Sequence, residues 1–147
     1  MTTGRWVLLA CVLLVVGFAV YRVQTDGRFH RRRRGAGAAT PTETAASVLS
    51  GGGVDVPLGE RATLLQFSSA FCAPCRATRR VLGEVADLVP GVTHVEVDAE
   101  QHLQAVRSLR VLRTPTTLIL DPEGREVSRA SGLPARDQVL AALARVS

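Results

Sequence analysis

The sequence is poor in several residue types, and the first shortage concerns charge. It contains no Lys, so all 18 basic side chains are Arg, and the formal net charge is +5. The excess lies in residues 1–50, which hold seven Arg against Asp26 and Glu43, whereas residues 51–147 hold eleven Arg against eleven acidic side chains. A body without net charge lacks the basic face that nucleic-acid binding requires. We therefore expect no nucleic-acid partner.

Cysteine and histidine are also scarce, with three of each in the chain. A structural zinc site built on one Cys-x-x-Cys pair takes its other two ligands from a second such pair or from a His pair. His30, His94 and His102 do not follow that spacing. We therefore expect no metal, and no motif for a flavin or a nucleotide is present, so no cofactor is expected either.

Charge is absent from one long stretch near the N-terminus. Trp6 to Tyr21 form 16 consecutive uncharged residues, most of them apolar. As a helix this run would span about 24 Å, and Arg22 and Val23 can extend it toward the roughly 30 Å hydrocarbon core of a bilayer. We predict a transmembrane helix over residues 6–23 that contacts membrane lipid. A cleaved signal peptide and a buried soluble helix are the alternatives.

The Arg residues around this run are unevenly distributed. Only Arg5 precedes it, whereas six Arg follow within thirteen residues of Tyr21, including the cluster Arg31–Arg34. Cations resist translocation, so the side with more Arg tends to stay in the cytoplasm. This favours an uncleaved, single-pass anchor in a bacterial cell membrane with the C-terminal side in the cytoplasm. The extracytoplasmic orientation is the alternative, and the cluster could also bind anionic lipid headgroups.

Residues 24–53 combine the Arg cluster with a stretch rich in Gly, Ala and Thr. This composition predicts a basic juxtamembrane segment and a flexible linker, with one short helical turn near residues 43–49. The folded domain is then expected over residues 54–147.

The domain shows strand and helix patterns in alternation. Strands are predicted at 63–67, 92–97, 116–120 and 125–128, and helices at 72–88, at 100–109 and from Pro134 to the end. The order β-α-β-α-β-β-α indicates parallel strands first and a hairpin last, which is an α/β fold.

Cys72 and Cys75 form a Cys-Ala-Pro-Cys sequence where a predicted strand passes into a predicted helix. The N-terminus of a helix favours an anion, which lowers the pKa of a thiol placed there. Pro74 suits an early helical position because that position lacks an N–H partner anyway. A purely structural disulfide is disfavoured because closing so short a loop removes little chain entropy. The pair therefore predicts a redox site, and Cys11, inside the apolar run, is assigned no role.

Three stretches resemble one known family. The sequence LLQFSSAFCAPCRATRRVL, Leu64 to Leu82, is similar to the active-site strand and helix of thioredoxins. Val95 to Asp98 resembles the next strand of that family, and LRTPTTLILDPEGREVSRASG, Leu112 to Gly132, resembles its Pro-Thr strand, hairpin and terminal Gly. The likeness covers roughly residues 56–147. It implies a thioredoxin fold, with a central mixed sheet flanked by helices and preceded here by the transmembrane helix.

The resemblance also implies roles for individual residues. Cys72 would be the exposed, attacking thiol and Cys75 the buried, resolving thiol, with a cis Thr114–Pro115 bond facing them. The substrate would contact Phe71, Ala73, Pro74, Thr114, Pro115 and Gly132.

Four positions depart from the thioredoxin pattern. Phe71 replaces Trp and loses an N–H donor, and Ala73 replaces Gly between the cysteines. Gln66 occupies the place of a buried carboxylate that assists proton transfer at the resolving Cys, and an amide cannot titrate. His94 falls where the family often carries Lys. An imidazole could shuttle protons there, although an exposed His at the start of a strand is the simpler interpretation.

These features predict a membrane-tethered thiol–disulfide oxidoreductase that reduces protein disulfides. The cysteine pair itself would carry the electrons, an upstream dithiol reductant would reset it, and the domain is expected to be monomeric. Two alternatives stay open. The same chemistry could serve disulfide exchange or cytochrome maturation on the outer face of the membrane, or the domain could be a non-catalytic, thioredoxin-like binding module.

Overall fold

The computed structural model of the chain describes residues 3–25, 27–31 and 44–146. The helices are α1 (Thr3–Thr25), α2 (Ala45–Gly51), α3 (Ala73–Leu88), α4 (Leu103–Ser108) and α5 (Arg136–Leu143). The strands are β1 (His30–Arg31), β2 (Ala62–Ser68), β3 (Val92–Asp98), β4 (Thr116–Leu120) and β5 (Glu126–Ser131). The predicted alternation of strands and helices is confirmed.

The five strands form one mixed sheet in the order β1-β5-β4-β2-β3. β2 and β3 are parallel, and the other neighbouring pairs are antiparallel. All seven residues of β2 are buried, as expected for a central strand with both faces covered. The register pairs Phe67 with Thr116, so the end of β2 and the start of β4 meet at one edge of the sheet. We call this the site edge, because Cys72 follows β2 there.

The core is divided between the two faces of the sheet. Successive side chains of a strand point to opposite faces, so Leu65 and Leu64 enter different clusters. Leu65 packs with Phe67 and Leu118 and with residues of α2 and α4. Leu64 packs with Ile119 and with residues of α3 and α5. Helices therefore flank both faces, and the predicted thioredoxin fold is confirmed.

Helix α1 is longer than the predicted span of residues 6–23. It runs from Thr3 to Thr25, which corresponds to about 35 Å at 1.5 Å per residue. Its described side chains are exposed to solvent. By length and composition α1 can cross a membrane, and an N-terminal signal sequence fits the same description.

The structure corrects the predicted linker, residues 24–53, at two places. His30 and Arg31 pair with Arg129 and Ser128 of β5, so this part of the chain is the outer strand of the sheet. The helical turn predicted near residues 43–49 is present as α2, residues 45–51, but Leu49 is fully buried in the core and does not belong to a linker. The folded body therefore includes both segments and does not begin at residue 54. The rest of the predicted linker that falls on residues 32–43 lies outside the described residues.

Local hydrogen bonds explain two further differences from the predicted element bounds. The carboxylate of Asp98 accepts the backbone N–H of Glu100 at 2.8 Å, which holds a turn, and α4 begins only after His102 rather than at residue 100. At the other end of the domain, Gln138 Oε1 accepts the N–H of Ala135 at 3.1 Å. Helix α5 accordingly begins at Arg136 and not at Pro134.

Candidate active site

Cys72 and Cys75 lie where β2 passes into α3, and they form a disulfide with 5.2 Å between their Cα atoms. Cys72 is the N-cap residue of α3, and its Sγ accepts the backbone N–H of Cys75 at 3.2 Å. This N–H, which also donates to Cys72 O at 3.1 Å, and the positive end of the helix dipole both stabilise negative charge at that position. Cys72 is partly exposed, whereas only 2% of the Cys75 surface is exposed. The two sulfur atoms are therefore not equivalent.

The loop before β4 lies beside this pair at the site edge. The Thr114–Pro115 bond is cis, and Pro115 is buried. The hydroxyl groups of Thr114 and Ser69 lie 3.1 Å apart, which links the loop to the segment just before the cysteines. Gly132 N–H donates to Pro115 O at 2.8 Å. The structure thus brings Thr114, Pro115 and Gly132 together at the edge that carries Cys72.

The remaining predicted contact residues are exposed at the same edge. Phe71 is fully exposed, and Ala73 and Pro74 are also accessible to solvent. An apolar ring without a partner in its own chain costs free energy in water. Phe71 is therefore placed where another molecule can cover it.

Gln66 is fully buried and bridges Cys75 to His94. Its Nε2 donates to the backbone oxygen of Cys75 at 3.0 Å, and its Oε1 lies 3.2 Å from His94 Nε2. Because an amide oxygen only accepts hydrogen bonds, the imidazole donates this one. Hydrogen bonds thereby hold both ends of the Gln66 amide, the nitrogen to Cys75 and the oxygen to His94.

His94 is half-buried on β3, and the expectation of an exposed side chain is wrong. Burial lowers the pKa of His94, the nearby Arg79 lowers it further, and Glu96 acts in the opposite direction. A lowered pKa keeps the imidazole neutral at pH 7, with Nε2 carrying the proton that is donated to Gln66. The imidazole thus acts as a hydrogen-bond donor without bringing a charge into the site.

A polar network beside His94 was not predicted from the sequence. Glu96 accepts hydrogen bonds from Ser68 of β2 and from Arg79 of α3, which ties the strand to the helix. Burial raises the pKa of Glu96, but the hydrogen bonds from Arg79 and Ser68 outweigh it and hold the pKa below its ordinary value. Alternation along β3 places His94 and Glu96 on one face, which is the signal that sequence reasoning could have used.

Within the described part of the chain, no three His, Cys, Asp or Glu side chains come together as a group that could hold a metal ion. Cys11 is a free cysteine in α1, and it is not part of the Cys72–Cys75 site.

Comparisons with known proteins agree with this geometry. A family model described as a thioredoxin-like domain matches residues 56–147. The thioredoxin of Chlamydia trachomatis is 34% identical over 77 residues, which cover 52% of this chain and 74% of the relative. The thioredoxin of Alicyclobacillus acidocaldarius is 32% identical over 89 residues, which cover 60% of this chain and 84% of the relative.

Solved structures show the same fold at lower identity. The thioredoxin of Fasciola hepatica superposes with a TM-score of 0.54 at 23% identity, covering 67% of this chain and 88% of that one. A chloroplastic thioredoxin z gives a TM-score of 0.53 at 21% identity, covering 59% of this chain and 79% of that one. At these identities the likeness concerns the fold alone.

Proposed function

The chain belongs to the thioredoxin-like domain family and is a thiol–disulfide oxidoreductase, and from that premise we propose that it reduces disulfides of other proteins while α1 holds it at a membrane. The electrons come from the Cys72–Cys75 dithiol, and no other cofactor takes part. A dithiol reductant upstream restores the reduced pair after each turnover.

The exchange proceeds in two displacements that conserve electrons. The Cys72 thiolate attacks one sulfur of the substrate disulfide, forms a mixed disulfide and displaces the other substrate sulfur as a thiolate. The deprotonated Cys75 then attacks Cys72 Sγ, which forms the Cys72–Cys75 disulfide and releases the second substrate thiolate. Two electrons leave the protein dithiol, and the substrate disulfide becomes two thiols.

The N-cap position of Cys72 is the observation that carries this proposal. Its sulfur accepts the Cys75 N–H and is partly exposed, so a thiolate there gains a hydrogen bond and can meet a substrate. Cys75 is buried, and its backbone oxygen accepts a hydrogen bond from Gln66. This asymmetry supports Cys72 as the attacking residue and Cys75 as the resolving residue.

Gln66 and His94 position the resolving cysteine. The amide of Gln66 cannot take a proton, so the proton of Cys75 passes to water or to another base. The hydrogen bond from His94 fixes the orientation of Gln66, and Gln66 in turn holds the backbone of Cys75. Phe71, Ala73, Pro74, Thr114, Pro115 and Gly132 form the surface that meets the substrate polypeptide.

Insulin reduction tests the redox assignment. The full chain in mild detergent, supplied with dithiothreitol, is expected to reduce insulin disulfides, and Cys72→Ser is expected to abolish turnover. Cys11→Ser is the matched control, since it removes a thiol from α1 and should leave the rate unchanged. Turnover that survives Cys72→Ser contradicts the mechanism.

The excess of Arg on the C-terminal side of α1 supports a domain that faces the cytosol, where a dithiol stays reduced and acts as a reductant. Labelling with an impermeant maleimide in the Cys11→Ser variant tests this orientation. Cys72 should react in opened cells and stay unlabelled in intact cells. Labelling of Cys72 in intact cells would place the domain on the outer face instead.

A further inference from the structure

The direction of β1 determines where the chain of α1 joins the body. β1 is antiparallel to β5, and its register pairs His30 with Arg129. The start of β1 therefore lies beside the end of β5, and Gly27 N–H donates to Ser131 O at 2.8 Å. Gly132, the next residue, bonds to Pro115. The polypeptide thus leaves α1 and enters the body at the site edge.

The connection between α1 and the body is short. α1 ends at Thr25, so at most about 7 Å separates its last Cα from that of Gly27. Gly27 is buried, and a Cβ added to it would lie 2.1 Å from Leu133 O. Gly27 therefore lies tightly against the segment after β5, two residues beyond the end of α1.

The distance from this junction to the cysteines follows from the sheet. Two strands, β5 and β4, separate β1 from β2. At about 4.8 Å between neighbouring strands, the end of β2 lies about 14 Å from β1. With the connection to Thr25 included, the end of β2, four residues before Cys72, lies within about 21 Å of the end of α1.

The surface at the site edge has the character of a membrane-facing surface. Phe71 is 100% exposed, Leu112 is 94% exposed and Leu133 is 44% exposed. The loops at residues 69–76, 110–116 and 131–136 contain Arg but neither Asp nor Glu. Apolar side chains among cations suit the interface of a bilayer that carries anionic lipids.

The remaining loops, by contrast, carry acidic side chains. The loops at the far edge of the sheet carry the acidic side chains of Glu60, Asp87, Asp121 and Glu123. At the site edge, Asp137 stands one residue beyond the 131–136 loop, in the first turn of α5, and Asp98 and Glu100 follow β3. β3 is the strand farthest from β1, so the latter two carboxylates lie farthest from the membrane helix.

We propose that the Cys72–Cys75 pair faces the bilayer and that its substrate is a disulfide in a segment of an integral membrane protein close to the membrane surface. This inference rests on the proposed function, because it takes α1 as an uncleaved anchor. Two electrons pass from the Cys72–Cys75 dithiol to the disulfide of the membrane protein, which becomes two thiols, and the upstream dithiol resets the pair. The apolar Phe71 and Leu112 contact the apolar flank of that segment.

Reduction of disulfides held at two heights tests the proposal. The full chain is reconstituted in phosphatidylcholine–phosphatidylglycerol vesicles with a transmembrane peptide that carries a fluorophore on a disulfide. The disulfide lies either directly at the bilayer surface or at the end of a rigid helical spacer about 45 Å long. The near disulfide should react about tenfold faster, because the short connection to α1 raises its effective concentration at Cys72. Equal rates, or a faster far disulfide, overturn the proposal.

Two glycine variants provide a matched pair for this assay. Gly27 and Gly53 both have φ of +78°, but a Cβ at Gly53 meets nothing within 4 Å. Gly27→Ala should lower the near-to-far ratio toward one, and Gly53→Ala should keep the wild-type ratio. Both variants should reduce insulin in detergent at the wild-type rate. A wild-type protein that fails on insulin contradicts the proposed function itself, whereas normal insulin reduction with a ratio of one contradicts only the membrane-facing geometry.

A quenching measurement tests the geometry without either glycine variant. Trp6 is the single Trp of the chain, so a Trp6→Phe background accepts a new reporter. Leu112→Trp places a reporter at the site edge, and Leu88→Trp places one at the far end of α3, where the side chain is also exposed. Lipids that carry a quencher near the headgroup should quench the reporter at position 112 more strongly. Equal quenching at both positions contradicts the proposal.

Discussion

Thr117 offers a direct test of how hydrogen bonding stabilises the centre of the sheet. It lies on β4 opposite Gln66, is fully buried, and its Oγ1 finds no hydrogen-bond partner in the described part of the chain. A buried hydroxyl without a partner costs about 1–3 kcal/mol in proteins. Thr117→Val replaces the hydroxyl by a methyl group of similar size and keeps the β-branch that suits a strand. We therefore expect the free energy of unfolding to rise by about 1 kcal/mol.

Urea denaturation of the full chain in mild detergent, followed by circular dichroism, measures this gain. With a slope of about 1.5 kcal/mol per M, a gain of about 1 kcal/mol moves the midpoint up by about 0.7 M. The neighbouring Thr116→Val is the control, because the Thr116 hydroxyl donates to Arg113 O at 2.7 Å. Losing that bond should lower the free energy of unfolding by about 1 kcal/mol. A Thr117→Val protein as destabilised as Thr116→Val would refute the reasoning.

Three further measurements follow from the packing and the charges. Leu49→Ala should lower the free energy of unfolding by about 2–5 kcal/mol because Leu49 is fully buried. The control Leu58→Ala removes an exposed side chain and should lower the free energy of unfolding much less. Equally small effects of the two substitutions would mean that α2 does not unfold with the body. The pKa of His94 is lowered, so the folded state disfavours the protonated imidazole, and the free energy of unfolding should fall as the pH drops from about 7.5 to 5.5. His94→Asn should flatten this dependence of stability on pH. An unchanged dependence would contradict the lowered pKa of His94. The pKa of Glu96 is also lowered, so the ionised carboxylate contributes its full share of stability above about pH 4.3, and this share is lost as the pH falls through the lowered pKa. Glu96→Gln should remove this loss of stability in acid titrations between about pH 5 and pH 2. An unchanged loss of stability in acid would argue against the ion pair of Glu96 with Arg79.

The sequence allowed the cysteine site to be predicted because local patterns carry it. Cys72 and Cys75 are three positions apart at a strand–helix junction, and their environment follows from the helix N-terminus alone. The cis Thr114–Pro115 bond was expected from a resemblance to thioredoxins, and the structure contains it. Apolar periodicity then located the strands and helices that bring these separate segments to one edge.

The missed features depend on contacts that leave little trace in the sequence. β1 has only His30 and Arg31, and it joins the sheet through backbone hydrogen bonds, which any residue type can form. The sequence predicts a helical turn near residues 43–49, but its Gly-rich surroundings do not indicate that Ala45 and Leu49 of α2 belong to the core. The Gln66–His94 contact joins two strands, so only the register could place these side chains together.

The pairing of β1 with β5 also bears on self-association of the domain. A strand at the end of a sheet exposes unpaired N–H and C=O groups, which can recruit the same strand of another molecule. β1 covers β5 on that side with a charged strand. A shortened chain that began at residue 54, where the composition changes, would bare the outer edge of β5 and also lose the buried Leu49. Such a fragment should form strand-to-strand dimers and aggregates, and a soluble form of the domain should instead begin at Gly27.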